Sequence, residues 1–313
     1  MTPAVLLGDP SRFRIRSGSN PHTRDAWGRR KRVDLGLAVR QWEGLRRALE
    51  GEGVRVHVVP ADENLPGMVF PANAGFRFGD TVYLSNLNPA RAAEREHYRR
   101  ALAPLGLRAA DLPTDLPFEG EADFIPVGHP SGDPRRAVYL FTHGRLEQPR
   151  WVPQSGIPPW RRVYGFRSDD RALAALQSVV RPLEVLSLEL CDERYYHGDT
   201  LLCSFGPNRE FLLCYFPGLT EPAQTALRQR FGDRVIPLSR ENAEAFAANS
   251  FQITVEMEGV RRHVLLMPDG AGQGLYEEIR RLGVVPYPVD VSEFLGKGGG
   301  AIKCMLLDIG RLP

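Results

Sequence analysis

The sequence predicts a mixed α/β chain built from five strand-strand-helix-strand units that stack around an axis and close on themselves. Three observations carry this reading. Five times an amphipathic helical stretch leads through a turn into a β-branched strand. Four of those helices carry a glycine just before the strand, where a left-handed cap is expected. Successive units start about 50 residues apart, a period typical of repeat architectures, with one longer step.

In chain order, the helix Ala38–Glu50 precedes a strand at Val54–Val59, and Ala92–Leu105 precedes Leu107–Leu112. Arg171–Val180 leads to Leu183–Leu190, Pro222–Phe231 to Arg234–Leu238, and Gln273–Leu282 to Val284–Val289. Further strands are expected at Asp80–Asn86, Ala137–Thr142, Thr200–Phe205, Glu210–Phe216, Ile253–Met257, His263–Met267 and Met305–Ile309. The longer step contains a Pro/Gly/Arg-rich segment, 130–162, which reads as an insertion, either a plain solvent-exposed loop or a hairpin with a loop near the mouth. Length alone would allow two domains, but the repeat favours a single domain over 1–313.

Composition narrows the function classes. With 42% hydrophobic and 25% charged residues, the chain can bury a core. No apolar run approaches the ~20 residues of a membrane span, so no membrane partner is expected. A net charge of +2, from 40 basic and 38 acidic residues without a long basic run, does not recommend nucleic acid as a partner. Met1–Pro10 lacks the pattern of a signal peptide. Cys191, Cys203, Cys214 and Cys304 form no CxxC pair, so a reducing cytoplasm is the expected setting. His97, His129 and His143 are scattered without metal-ligand spacing, and no metal or other cofactor is expected.

The polar residues that stand out fall at the junctions between units. Gly298, Gly299 and Gly300 read as a flexible run leading to Cys304 at the lip of the last strand, with Lys303 and Lys297 supplying positive charge for a thiolate. A free cysteine is ordinarily a small buried hydrophobe, so the case rests on its company. Phe118–Phe124 sets Glu119, Glu121 and Asp123 among small and aromatic residues, Gly120 included, which leaves room for a ligand against the backbone. His197 and Asp199, two apart, project to one face if the strand is extended. Phe70–Gly75 is a tight turn of small residues presenting the Asn73 amide.

Taken in order, FPANAG (70–75), FEGEAD (118–123), YGFR (164–167), HGD (197–199) and GGGAIKC (298–304) resemble the guanidino-group-modifying enzyme superfamily, whose fold is the pentein, a five-bladed α/β propeller. That superfamily includes arginine deiminases, dimethylargininases, amidinotransferases and arginine and succinylarginine dihydrolases. The resemblance implies a catalytic triad of Cys304, His197 and Glu119, with Glu121 as the runner-up acid. It also implies that Asp199 holds the guanidinium and Asp123 bonds within the site. Arg167 and Arg91 would meet the substrate carboxylate, and Gly120 and Gly298 would line the substrate.

The chemistry suits these residue types. Resonance makes a guanidinium carbon a poor electrophile, so it must be held planar between acceptors while a thiolate attacks. His197 would protonate the departing nitrogen and then deprotonate water, with Glu119 stabilising the imidazolium. The expected activity is hydrolysis of an arginine-like guanidinium through an S-amidino cysteine. Deiminases commonly place an Asp in the first turn, whereas Asn73 matches dihydrolase-like members; an amide both donates and accepts, so a ureido intermediate could stay bound for a second hydrolysis. Pro71, where Thr is common, and the absence of a bulky residue between His197 and Asp199 depart from the family pattern. A deiminase or dimethylargininase stopping at citrulline, an amidinotransferase and a catalytically silent pentein binding protein remain open.

Overall fold

Each of the five expected helices forms where apolar side chains four residues apart can be buried together against a sheet. The computed structural model describes residues 1–16, 20–154, 157–257 and 259–313. In it, the helix Leu35–Gly51 buries Leu45 and Leu49, and Glu94–Leu102 buries Tyr98 and Leu102. Leu173–Val180 buries Leu176 and Val180, Glu221–Phe231 buries Leu227 and Phe231, and Gln273–Arg281 buries Leu275 and Ile279. Each such side chain taken from water contributes roughly 1.5–3 kcal/mol, so the pairs fix each helix on its sheet. Gly53, Gly106, Gly232 and Gly283, the four cap glycines, all have φ between +55° and +82°. The third helix has no such glycine and its chain turns at Arg181–Pro182.

Among the described residues the strands form five three-stranded sheets of one topology and a separate two-stranded sheet. In the second sheet Gly75–Phe78 runs antiparallel to Thr81–Leu84, which runs parallel to Arg108–Asp111 beyond the helix. The same pattern recurs in Phe124–Val127, Val138–His143 and Glu184–Glu189, and in Leu202–Phe205, Phe211–Cys214 and Val235–Pro237. Phe251–Met257, Val260–Pro268 and Val285–Val289 make the fifth sheet. The first sheet joins the two ends of the chain: Thr2–Gly8 lies parallel to Arg55–Val59 and antiparallel to Leu306–Leu312. The C-terminal strand therefore supplies the outer strand that the first unit lacks.

Several expectations shift in detail. Within the 130–162 segment, Val138–His143 is the middle strand of the third sheet. What stands outside the five sheets is the hairpin of Arg150–Gln154 with Ile157–Val163; residues 155–156 lie outside the described residues. The glycines before Cys304 do not form a flexible run. Ser292–Gly298 is a helix closed by Gly299 at φ +76°, whose N–H bonds back to Phe294 and Leu295. No helix among the described residues is long and apolar enough to cross a membrane.

Candidate active site

The outer antiparallel strand of every sheet is preceded by a turn that delivers a buried polar side chain. Asn73 lies just ahead of Gly75, Glu119 and Asp123 ahead of Phe124, and His197 and Asp199 ahead of Leu202. Asn249 precedes Phe251 and Cys304 precedes Leu306. All seven residues are at most 3% exposed, so their charges act on one another with little screening by solvent. Three of the turns are short 3₁₀ segments, Pro71–Ala74, Gly120–Ala122 and Gly198–Thr200, which aim side chains inward without committing them to a strand. Gly120 has φ +61°, and a Cβ there would lie 2.5 Å from the Ala72 carbonyl oxygen. Its smallness lets two of these turns pack directly on each other. At Gly298 a Cβ would meet the Phe70 ring at 2.6 Å. At both glycines the close approach is made by the protein's own residues.

His197 and Asp199 reach the site by a different geometry from the expected extended strand. His197 is extended, at φ −131° and ψ 154°, but it caps the 3₁₀ turn in which Asp199 sits. The two side chains consequently find different partners. His197 Nε2 is 2.9 Å from Glu119 Oε2. Asn88 donates to the other Glu119 oxygen at 3.1 Å, and the Asn73 amide nitrogen lies 3.4 Å from both Glu119 Oε2 and His197 Nε2. Burial works against the Glu119 anion, yet the hydrogen bond and charge of His197, with Arg91 and Arg167 nearby, hold its carboxyl down at about 2. Burial likewise opposes the imidazolium, but the carboxylates of Asp123 and Glu119 outweigh it and raise the pKa of His197.

Asp123 is fully engaged in holding this arrangement. Its Oδ1 accepts from Thr142 at 2.7 Å and from the Gly198 N–H at 3.0 Å, and its Oδ2 accepts from Ser168 at 2.7 Å. Ser168 Oγ in turn accepts from the Glu119 N–H at 3.2 Å. Asp123 thus ties the turn carrying His197 to the one carrying Glu119.

Cys304 sits in the turn before the last strand, and its sulfur is placed by two side chains. The thiol donates to Asp199 Oδ2 at 3.2 Å, and Asn249 Nδ2 donates to the sulfur at 3.1 Å. Burial and the Asp199 carboxylate push the thiol well above its ordinary range. Lys303, expected to activate the thiol, pairs through Nζ with Glu121 Oε2 at 2.6 Å. Burial also raises Asp199, to about 6, and its buried Oδ1 has no hydrogen-bond partner among the described residues. One oxygen of Asp199 thus faces the nucleophile while the other has its accepting capacity unused.

The remaining expected residues divide. Glu121 accepts from Lys303 and from the Asp308 N–H at 3.1 Å, so Glu119, not Glu121, meets the imidazole. Arg91 lies against Glu94, through bonds of 2.9 and 2.8 Å, and donates to Asn73 Oδ1 at 2.9 Å. Arg167 lies over the Tyr196 ring, 5.3 Å from its centroid, and donates to the backbone carbonyls of Gly165 and Phe166 at 3.2 Å.

No family model matches the chain. The dimethylarginine dimethylaminohydrolase of Mycobacterium tuberculosis, however, is 31% identical over 281 residues, 88% of this chain and 77% of its own length. The chain belongs to the guanidino-group-modifying enzyme superfamily. The chain is also 33% identical, over 87% of its length, to the bifunctional arginine dihydrolase/ornithine cyclodeaminase AgrE of Nostoc sp.. It spans about a third of that relative, 33%. The product-bound N-terminal domain of ArgZ, described as an arginine dihydrolase, superposes with a TM-score of 0.79 at 26% identity over 100% of both chains. A variant of the same domain, covalently bound to a reaction intermediate, superposes with a TM-score of 0.78 at 25% identity over 99% of this chain and 100% of its own. The α/β fold therefore matches solved pentein structures.

The pentein repeat carries a signal that sequence reading passed over. Phe246–Ser250, FAANS, repeats Phe70–Ala74, FPANA, at the equivalent place in the fifth unit. A period that puts Asn73 in the site puts Asn249 there as well. Asn88, Thr142 and Ser168 carry no comparable signal, because they reach the site from loops and a central strand.

Proposed function

We propose that this pentein hydrolyses the guanidinium group of arginine or a close derivative through a covalent S-amidino intermediate on Cys304, and that it acts as an arginine dihydrolase. The observation that carries the proposal is the convergence of a buried thiol, an acid with an unpartnered oxygen and a carboxylate–imidazole pair on one site. Asp199 Oδ1 is suited to accept from a guanidinium N–H, and the cation would neutralise the carboxylate that now opposes thiol ionisation. As the guanidinium binds, the thiol releases its proton to solvent water, and the thiolate attacks the guanidinium carbon. His197, whose protonated form Asp123 and Glu119 favour, gives its proton to the leaving nitrogen and ammonia departs. The neutral imidazole takes a proton from water, whose oxygen adds to the S-amidino carbon, and breaking the C–S bond gives a ureido product. A second hydrolysis of that product would yield ornithine, a second ammonia and carbon dioxide, so that arginine and two waters balance. The Asn73 amide and the likeness to AgrE and ArgZ support this longer course.

Arg167 is assigned to the substrate carboxylate and Arg91 to the orientation of Asn73. The five sheets are read as five blades of a propeller around the site, forming one catalytic domain with the Arg150–Val163 hairpin near its mouth. Four free cysteines suit a cytoplasmic setting. A second reading, a hydrolase that stops at citrulline, is favoured by the Mycobacterium tuberculosis relative. Mass-spectrometric product analysis with arginine, agmatine, succinylarginine and dimethylarginine tests both. Ornithine from arginine supports the dihydrolase, citrulline as the end product supports the second reading, and no ureido or amino product from any of the four overturns the hydrolase. Replacing Cys304 by Ser should abolish turnover with the melting temperature little changed.

A further inference from the structure

Asn249 has its whole hydrogen-bonding capacity committed inside the site. Its side chain is fully buried; Nδ2 donates to Cys304 Sγ at 3.1 Å and to the Asp199 carbonyl at 3.0 Å. Its Oδ1 accepts from the N–H groups of Ala301 at 2.9 Å and Cys304 at 3.2 Å. Two N–H groups and two lone pairs thus meet four partners. Turning the amide over would set its oxygen against the sulfur and a carbonyl, and its NH₂ against two donors, so chemistry fixes the orientation. The backbone is held as firmly: the Lys303 N–H donates to the Asn249 carbonyl at 3.1 Å and the Asn249 N–H to Phe246 at 2.8 Å. Phe246 has φ +56°, in the left-handed region that non-glycine residues rarely adopt, and such conformations gather at functional sites.

Among the described residues the sulfur has two side-chain hydrogen-bond partners of opposite sense: the thiol donates to Asp199, and Asn249 donates to the sulfur. Tyr196 acts electrostatically on the sulfur, and His197, paired with Glu119, and Lys303, whose ammonium is paired with Glu121, act on Asp199. When the thiol proton leaves, Asp199 repels the sulfur and the Asn249 N–H is the donor aimed at it. Resting on the thiol chemistry proposed above, we infer that Asn249 is the positioning residue of Cys304, holding the sulfur in place and stabilising the thiolate that attacks the guanidinium carbon. A guanidinium on Asp199 and the amide of Asn249 then act on the sulfur from two sides.

Iodoacetamide tests this without any guanidino substrate. Alkylation of Cys304, followed by peptide mass spectrometry against pH below each variant's melting temperature, should be at least tenfold slower at neutral pH in Asn249→Asp and Asn249→Ala. Its pH midpoint should be displaced upward. A merely structural role would act in the opposite direction, because a loosened site exposes the thiol and speeds alkylation. Faster alkylation, or an unchanged midpoint in both variants, overturns the inference. A measurement on the unmodified protein guards against variants that fail to fold: the Asn249 carboxamide NMR signals, identified by their change in Cys304→Ser, should shift with the thiol's own pH midpoint. Signals insensitive to thiol ionisation also overturn it. A displaced midpoint in a protein that releases ammonia from no guanidino compound overturns the hydrolase reading and leaves the role of Asn249 standing.

Discussion

Arg91 Nη1 donates a 2.9 Å hydrogen bond to Asn73 Oδ1, and this bond decides which end of the amide faces the site. Arg91 is itself held by Glu94, a carboxylate 1% exposed, so the clamp is built in. With its oxygen held by Arg91, Asn73 turns its NH₂ toward Glu119 and His197. One lone pair of Asn73 Oδ1 is engaged in this way, which leaves the second lone pair and the NH₂ for the expected roles of accepting from a guanidinium and donating to a ureido oxygen.

Asn73→Asp should convert the course of the reaction. An aspartate has no N–H to give a ureido oxygen, and it would place a second anion about where the amide nitrogen now stands, 3.4 Å from Glu119 Oε2. Ammonia released per arginine consumed should fall from two toward one, with citrulline accumulating, and overall turnover should drop at least about tenfold, about 1.4 kcal/mol in barrier. A variant that still releases two ammonia per arginine would separate Asn73 from the second hydrolysis.

The two glutamates of Phe118–Asp123 should respond in opposite ways. Glu119→Gln removes the anion beside His197, so turnover should fall roughly 100-fold or more, within the usual range for an acid–base partner, with the melting temperature little changed. Glu121→Gln instead strands the Lys303 ammonium, in a pair whose side chains are only 15% and 11% exposed. Breaking a buried pair from one side costs roughly 3–5 kcal/mol, so that variant should unfold at markedly lower denaturant. Urea melts and ammonia assays on both variants check the assignment; the reverse pattern would exchange their roles.

The parts of this site legible in the sequence are those that repeat or that sit in short motifs. The five helices announce themselves through buried pairs such as Leu45–Leu49 and Leu227–Phe231, and the cap glycines mark their ends. Strands such as Gly75–Phe78 and Phe124–Val127 were not legible, because four residues beside a turn leave no alternation to read. Cys304, His197, Glu119 and Asp199 are legible as motif residues, and the resemblance implies the pairing of His197 with Glu119, but the other partners are not legible. Nothing in the spacing tells that Lys303 is diverted to Glu121, that Arg91 is spent on Glu94 and Asn73, or that Asp199 faces the thiol. Those outcomes depend on which turns pack against which, as Gly120 against Ala72 shows.

If Arg167 meets the substrate carboxylate, agmatine, which lacks that group, should be a poor substrate. A lost charge-assisted hydrogen bond costs about 1.5–3 kcal/mol, so kcat/KM for agmatine should lie roughly 10- to 150-fold below that for arginine. Arg167→Ala should narrow the gap by lowering the arginine value alone. Equal efficiency on the two compounds in the unmodified protein would remove Arg167 from this role.

Asp199 should make the unliganded protein less stable as pH rises. Burial raises its folded-state pKa from 3.8 to about 6, so stability gained from its protonated form is fully present below the unfolded value and is lost as pH rises through about 6. Above that pH the empty site carries a buried anion at a cost of about 3 kcal/mol. Asp199→Asn should therefore melt a few degrees higher than the unmodified protein at pH 8, with the gap closing toward pH 4, although the variant loses activity. Arginine should close the same gap from the other side, stabilising the unmodified protein at pH 8 by pairing its guanidinium with the carboxylate and leaving the Asn variant unmoved. Thermal melts at pH 4 and pH 8, with and without arginine, give all four values. A gap that does not change with pH would mean that the Asp199 charge is not what the empty site bears, and an Asn variant equally stabilised by arginine would place the guanidinium elsewhere.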